Sequence, residues 1–162
     1  MTRNSWLLCT TRSAHRLDVR LRSNSLCRAL TVVSITLRNS NAFIVCLLDD
    51  DPSVLKGLGR LLLSADLRAE TFSDPDEFLR HARTHRPAVA LVDVHMPQMN
   101  GLEVQSRLRE ISPSTRVIIF SGKDDPLVRS TALNAGASAF LAKPIDDEEL
   151  LTAVRLALAP AD

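Results

Sequence analysis

The chain has 162 residues, 45% of them hydrophobic, so it is long enough for one well-buried domain and short for two. Its net charge of +1 hides an asymmetry: residues 1–40 hold seven arginines and one aspartate, which leaves an acidic remainder with few aromatic residues, a poor electrostatic match for nucleic acid. No apolar run approaches the length of about 20 residues that a membrane span needs, and three scattered cysteines favour a reducing, cytoplasmic location.

The first part of the chain, residues 1–41, is rich in Ser, Arg, Asn and Thr and shows neither a helical period nor a clean alternation. Three interpretations remain open: a disordered basic tail, an organellar transit peptide, and a start codon assigned too far upstream. The first and third are favoured, because the domain predicted over residues 42–159 looks self-sufficient. Residues 160–162 are predicted to be a short tail.

From residue 43 onward, five short apolar or strand-like segments alternate with five segments that have apolar residues at helical spacing. The predicted strands cover residues 43–48, 68–72, 89–92, 116–120 and 138–142. The predicted helices begin near residues 52, 75, 101, 126 and 147, four of them directly after an aspartate that can cap a helix. The first helix is predicted to run to about residue 66. This alternation predicts an α/β fold, with a parallel sheet covered on both faces through right-handed crossovers.

Chemically reactive residues stand at the carboxyl ends of four predicted strands. Asp49 and Asp50 follow the first strand, Asp93 the third, Ser121 the fourth and Lys143 the fifth. In open α/β sheets the carboxyl ends of the strands meet at one edge, which is where ligands bind. We therefore expect these five side chains to converge.

Three carboxylates in one place raise each other's pKa and oppose ionisation, so a cation must neutralise them. Carboxylate and carbonyl oxygens suit Mg²⁺, whereas the thiolate and imidazole cluster that zinc prefers is missing from these motifs. Beside a metal and an ammonium group, a carboxylate can act as a nucleophile and form an acyl phosphate. The predicted roles are nucleophile for Asp93, metal ligands for Asp49 and Asp50, phosphate partner for Lys143 and hydrogen-bond donor for Ser121.

Four spaced motifs contain these residues: Leu48-Asp-Asp-Asp-Pro-Ser-Val54, Leu91-Val-Asp-Val-His-Met-Pro-Gln-Met-Asn-Gly-Leu-Glu103, Ile119-Phe-Ser-Gly122 and Phe140-Leu-Ala-Lys-Pro144. In order and in strand position they resemble the motifs of response-regulator receiver domains of two-component signalling. The resemblance implies a flavodoxin-like, doubly wound, five-stranded sheet in the order 2-1-3-4-5 with five helices. It also implies a phosphoprotein rather than an enzyme, with only self-phosphorylation and self-dephosphorylation.

The resemblance further implies that Asp93 accepts a phosphoryl group from a sensor histidine kinase or a phosphotransfer protein. Mg²⁺ would be held by Asp50, Asp93 and the backbone carbonyl of His95, with Asp49 assisting. These assignments make the metal part of the phosphoryl-transfer site.

Ser121 and Phe140 are implied to be the switch pair, which alters the surface seen by a downstream protein partner or by a second copy of the chain. Ser121 stands where Thr is frequent and keeps the hydroxyl, whereas Phe140 replaces the frequent Tyr and loses it. The Lys143–Pro144 bond is implied to be cis, an isomer that X-Pro bonds tolerate best. We expect a single-domain response regulator without direct nucleic-acid or membrane partners.

Besides the single-domain response regulator, two other functions and one different domain arrangement remain open. An aspartyl-nucleophile phosphohydrolase would also use a strand-end aspartate and Mg²⁺, but such enzymes typically carry a second aspartate where this chain has His95. A constitutive interaction module would need no acids, and the intact acid set argues against it. The chain could also be the receiver fragment of a DNA-binding response regulator.

His81 and His85 are spaced i, i+4 on the second predicted helix, a spacing compatible with a metal pair. Because the motif offers no acidic partner, a solvent-facing helix surface is the favoured interpretation for both. Cys46, inside the first strand, is interpreted as a small buried hydrophobe.

Overall fold

A computed structural model of the chain describes residues 44–123 and 125–160. The tail predicted over residues 1–41 lies outside the described residues, so the domain boundary at residue 42 stays a prediction. None of the described helices is long and apolar enough to cross a membrane.

Five strands and five helices alternate strictly along the described part of the chain, as predicted. The strands are β1 (Ile44–Leu48), β2 (Arg68–Phe72), β3 (Val89–Asp93), β4 (Arg116–Ser121) and β5 (Ala139–Ala142). The helices are α1 (Pro52–Ser64), α2 (Pro75–His85), α3 (Gly101–Ile111), α4 (Pro126–Asn134) and α5 (Asp147–Leu158). Helix α1 ends two residues before the predicted end, because Asp66 takes a left-handed φ of 59° that a helix cannot continue through.

Helix starts follow the capping residues in the sequence. Four helices begin after a capping aspartate, namely Asp51, Asp74, Asp125 and Asp146. Each of these carboxylates accepts a hydrogen bond from a backbone N–H of the first turn, as in the 2.8 Å contact between Asp74 and the N–H of Glu77. Helix α3 uses Asn100 in the same way, accepting from the N–H of Leu102.

All strand pairs are parallel, and the order across the sheet is β2-β1-β3-β4-β5. This order confirms the predicted 2-1-3-4-5 topology. The chain proceeds from β1 to β2 on one side and then returns to β3 on the other, so the direction of winding reverses between β1 and β3. Ligand sites in doubly wound sheets lie outside the carboxyl ends of the strands at this point.

Apolar clusters cover both faces of the sheet, since successive strand residues point to opposite sides. One cluster includes Leu48, Phe78 and Ile119 and packs beneath α2, α3 and α4. The other includes Leu47 and Leu150 and packs beneath α1 and α5. Cys46 belongs to the first cluster and is fully buried, which confirms its interpretation as a buried residue.

Candidate functional site

Two buried carboxylates share one ammonium group at the carboxyl edge of the sheet. The Nζ atom of Lys143 lies 2.8 Å from Oδ2 of Asp49 and 2.8 Å from Oδ1 of Asp93. The two acid side chains are 1% and 3% exposed, and the lysine side chain is 26% exposed. The structure therefore brings together three of the predicted site residues, from the ends of β1, β3 and β5.

The second oxygen of each carboxylate accepts a hydrogen bond from the backbone two residues further on. Oδ1 of Asp49 accepts from the N–H of Asp51 at 2.7 Å, and Oδ2 of Asp93 accepts from the N–H of His95 at 2.6 Å. These turns fold each loop back over its own strand end. Both buried acids thus have partners for both oxygens, as burial requires.

The electrostatics of the pair oppose full ionisation of Asp49. Burial raises the pKa of Asp49, and the charge of Asp93 adds to this, although hydrogen bonds from Lys143 and from the N–H of Asp51 act in the opposite direction. Burial lowers the pKa of Lys143, but its hydrogen bonds to the two carboxylates outweigh this and the pKa lies above its ordinary value. A further cation at this edge would reduce the cost of keeping both acids charged.

Asp50 differs from its neighbour Asp49 in exposure. It is exposed, and it forms no hydrogen bond or ion pair with the residues that the structure describes. Its carboxylate is therefore open to solvent beside the buried pair, the position that a metal ligand needs if it is to meet an incoming ion.

Ser121 ends β4 and is fully buried. Its Oγ atom lies 3.2 Å from Nδ1 of His95 and accepts a hydrogen bond from the N–H of Lys123 at 3.2 Å. The sequence pattern pointed to the backbone of His95, not to its imidazole. The contact between Ser121 and His95 depends on the conformation of the loop after β3. Hydrophobic periodicity in the sequence does not predict that conformation.

Phe140 is directed inward and is 5% exposed. It pairs with Ile119 on β4, and Ser121 lies two residues further along the same strand, so the two predicted switch residues share one face of the sheet. The guanidinium carbon of Arg129 lies 4.7 Å from the centre of the Phe140 ring, and Nη1 donates to the Phe140 carbonyl at 3.4 Å. No pattern in the sequence predicted the contact of Arg129 with Phe140.

Gly101 places the start of α3 against the backbone of Asp93. A Cβ atom at this position would collide with the carbonyl oxygen of Asp93, so no residue with a side chain fits without a backbone shift. The N–H of Gly101 donates to the carbonyl of Val94 at 3.0 Å. The predicted helix start was correct, but its close approach to the site could not be seen from the sequence.

The Lys143–Pro144 bond is cis, as predicted.

The solvent-facing interpretation is wrong for His81 and correct for His85, which is exposed. The His81 side chain is only 15% exposed and lies against Phe72, with ring centres 5.0 Å apart. Its Nε2 atom is 3.0 Å from a carboxylate oxygen of Glu70. The acidic partner missing from the helix motif comes instead from β2, a neighbour in space that the local sequence does not reveal.

The chain is similar in sequence and in fold to known proteins. The family model described as the response regulator receiver domain matches residues 45–155. The chain belongs to this family. Receiver domains are signalling domains of two-component systems rather than classical enzymes, and they interact with histidine kinases and effector domains. The predicted family, and its place in two-component signalling, are therefore confirmed.

Named relatives support the same assignment. The receiver is 38% identical over 120 residues to the response regulator protein TodT of Pseudomonas putida, a match covering 74% of this chain and 53% of TodT. It is 33% identical over 125 residues to the nitrate/nitrite response regulator protein NarL of Escherichia coli, covering 76% and 58%. The chain thus spans about half the length of the curated relatives it matches.

Solved structures of receivers share the fold. The chemotaxis protein CheY4 of Vibrio cholerae matches with a TM-score of 0.67 and 28% identity, covering 72% of this chain and 99% of CheY4. The BeF3-activated DrrB receiver domain matches with a TM-score of 0.66 and 28% identity, covering 72% and 97%. These matches confirm the predicted flavodoxin-like, doubly wound fold.

Proposed function

We propose that this receiver accepts a phosphoryl group on Asp93 from a sensor histidine kinase or a phosphotransfer protein, in a reaction that depends on Mg²⁺. The observation that carries the proposal is the pair of buried carboxylates from neighbouring strand ends that share the Lys143 ammonium. Burying two like charges lowers stability, so a structural role alone does not account for them.

The donor set fits a magnesium ion. Asp49 and Asp50 are consecutive carboxylates at the end of β1, and Asp93 with the backbone carbonyl of His95 supplies further oxygen, the ligand type that Mg²⁺ selects. Burial raises the pKa of Asp49 even with Lys143 beside it, so a bound cation would offset the cost of keeping this acid charged. When bound, the ion would neutralise charge on the phosphoryl oxygens.

In the transfer step, a carboxylate oxygen of Asp93 attacks phosphorus, and the bond between phosphorus and the donor's imidazole nitrogen breaks. The imidazole leaves with the electron pair, and an aspartyl phosphate is formed. Lys143 holds Oδ1 of Asp93 and the N–H of His95 holds Oδ2, so the nucleophile is positioned before the donor arrives. Such preorganised donors stabilise developing charge without rearrangement.

The switch follows from the added charge, which is about −2 for a phosphoryl group near neutral pH. Ser121 would exchange its contact with His95 for a hydrogen bond to a phosphoryl oxygen, and Phe140, on the same face, would reposition. The surface formed by α4, β5 and α5 already exposes Leu127 and Leu156, at 76% and 70%, which supports binding of a downstream protein or of a second copy of the chain.

Three further expectations stay predictions. They are the single-domain architecture, the absence of nucleic-acid and membrane partners, and the cytoplasmic location. The chain spans about half the length of its curated relatives. A receiver coupled to an output domain is therefore as compatible with the structure as a single-domain architecture.

The test is intact-mass measurement after incubation with Mg²⁺ and acetyl phosphate. We expect wild-type protein to gain one phosphoryl group, Asp93→Asn to gain none, and removal of Mg²⁺ by a chelator to abolish the gain. Asp74→Asn is the matched control and should behave as wild type, because Asn caps a helix as well as Asp does. Phosphoryl uptake by Asp93→Asn would contradict the proposal.

The phosphohydrolase alternative receives no support from the site. His95 stands where those enzymes typically carry their second aspartate, and its imidazole contacts Ser121. Turnover of a generic phosphomonoester far above one equivalent per protein would restore that alternative.

A further inference from the structure

A second cluster of metal-ligating side chains lies midway along β1 and β2, on the face of the sheet that α2 covers. Cys46 and Glu70 are paired residues of β1 and β2, so their side chains project from the same face of the sheet. His81 covers that face from α2. One ligand atom from each residue, a sulfur, a carboxylate oxygen and an imidazole nitrogen, lies within 4.8 Å of the other two.

The Nε2 atom of His81 is buried and has no hydrogen-bond partner among the described residues. It is 3.0 Å from a Glu70 oxygen, but the two groups do not align as donor and acceptor. Buried side-chain nitrogen atoms nearly always have a partner. The ring is also held in place, since it stacks on His85 with centres 4.1 Å apart and packs against Phe72. This fixed, buried nitrogen thus has an ion-pair contact with Glu70 but no hydrogen bond, and it lies within 4.8 Å of the Cys46 sulfur.

We propose that Cys46, Glu70 and His81 form a binding site for a borderline-soft divalent cation of the Zn²⁺ class. Thiolate, imidazole and carboxylate are the ligands that zinc takes in proteins. Glu70 is 44% exposed, which leaves its side of the cluster open for a water molecule as fourth ligand. Mg²⁺ selects oxygen ligands, so this site and the acidic edge would bind different metals.

Binding requires the thiol to lose its proton. Burial, with a smaller effect from the charge of Glu70, raises the pKa of Cys46 to about 12, so the metal-free thiol is protonated and unreactive. When the metal binds, the S–H proton passes to solvent and the sulfur electron pair forms the metal–sulfur bond. The dication also offsets the Glu70 charge. If Cys46 is only a small buried hydrophobe, its thiol should neither lose its proton nor bind a metal.

Cobalt is the probe, because a tetrahedral Co²⁺ site with a thiolate ligand shows a sulfur-to-metal charge-transfer band and intense visible bands. A Co²⁺ ion held by carboxylates and water shows neither. The full chain would carry Cys9→Ser and Cys27→Ser, so that Cys46 is the sole thiol. Excess Mg²⁺ would occupy the acidic edge. We expect the band to saturate at one equivalent of Co²⁺.

Three variants of that parent decide the assignment. Cys46→Ala and His81→Gln should each lose the charge-transfer band, whereas Arg83→Gln, exposed on the same helix, should keep it. Zn²⁺ should raise the Tm of the parent and leave that of His81→Gln unchanged, because only binding to the folded state stabilises it. The proposal is overturned if the folded parent shows no band, if Cys46→Ala keeps it, or if Zn²⁺ raises both Tm values equally.

Discussion

Strand β1 and the residue directly after it lie in two different kinds of environment. Val45 to Leu48 are apolar and fully buried, and the next residue, Asp49, is equally buried but charged. Burial of the apolar residues stabilises the fold by about 25 cal/mol per Å² of apolar surface. Burial of the aspartate has the opposite effect, which its raised pKa records. The apolar interior of the sheet thus stabilises the fold. The buried acid at its carboxyl edge lowers stability but provides the carboxylate that the proposed phosphoryl transfer uses.

The largest effect is expected in the interior, at Phe78. This ring is fully buried and packs edge-on against Phe72, with ring centres 5.6 Å apart. Phe78→Ala should lower the free energy of unfolding by about 3–5 kcal/mol, because it leaves a cavity. Urea unfolding measures this. The folded fraction should still accept a phosphoryl group, and a loss below about 1 kcal/mol would show that the interior is not the source of stability.

At the edge, Asp49→Asn should act in the other direction. Because the pKa of Asp49 is raised in the folded protein, its contribution to stability is fully present below its ordinary value of 3.8 and is lost as the pH rises through the folded value. Replacing it with Asn removes that loss. We expect the free energy of unfolding to rise at pH 7, by an amount that shrinks as the pH falls toward 3.8.

Urea unfolding at several pH values checks this, with Asp74→Asn as the control at a partly exposed helix cap. The same Asp49→Asn sample should take up phosphoryl groups more slowly than wild type. A variant that is less stable than wild type at pH 7 would mean that the Lys143 pair stabilises the fold, and the contrast between interior and edge would fail.

The smallest effect is expected at Gly57, in the exposed middle of α1. A Cβ atom there would meet nothing within 4 Å. Gly57→Ala should raise the free energy of unfolding by about 0.5–1 kcal/mol, because Ala loses less backbone freedom in a helix. Gly101→Ala is the matched contrast: it should destabilise the fold, since its Cβ would collide with the Asp93 carbonyl. Equal effects at both positions would contradict this account.

Much of this architecture could be predicted because its signals are local. Apolar runs, capping aspartates and the polar residues that end each run predicted ten elements in order, and parallel strands then require their ends to share one edge. That requirement places Asp49, Asp93 and Lys143 at one edge, and the strand order that the family resemblance implies brings them close together.

The remaining features depend on contacts between distant segments. Glu70 reaches His81 only because β2 lies beside β1 and beneath α2, so a helix pattern read alone predicted a solvated histidine. Likewise, Arg129 lies over Phe140 because of the way α4 packs on β5, and the closeness of Gly101 to Asp93 is set by a loop. Hydrophobic periodicity carries no information on these distances.

The most direct test of the central claim locates the phosphoryl group on the chain. Borohydride reduction of the phosphorylated protein converts an aspartyl phosphate into homoserine. Tandem mass spectrometry of the tryptic peptides covering residues 39–56 and 84–107 identifies the modified position. We expect homoserine at position 93 and unmodified aspartate at positions 49 and 50. Homoserine at Asp49 or Asp50, or a stable phosphate on His95, would contradict it.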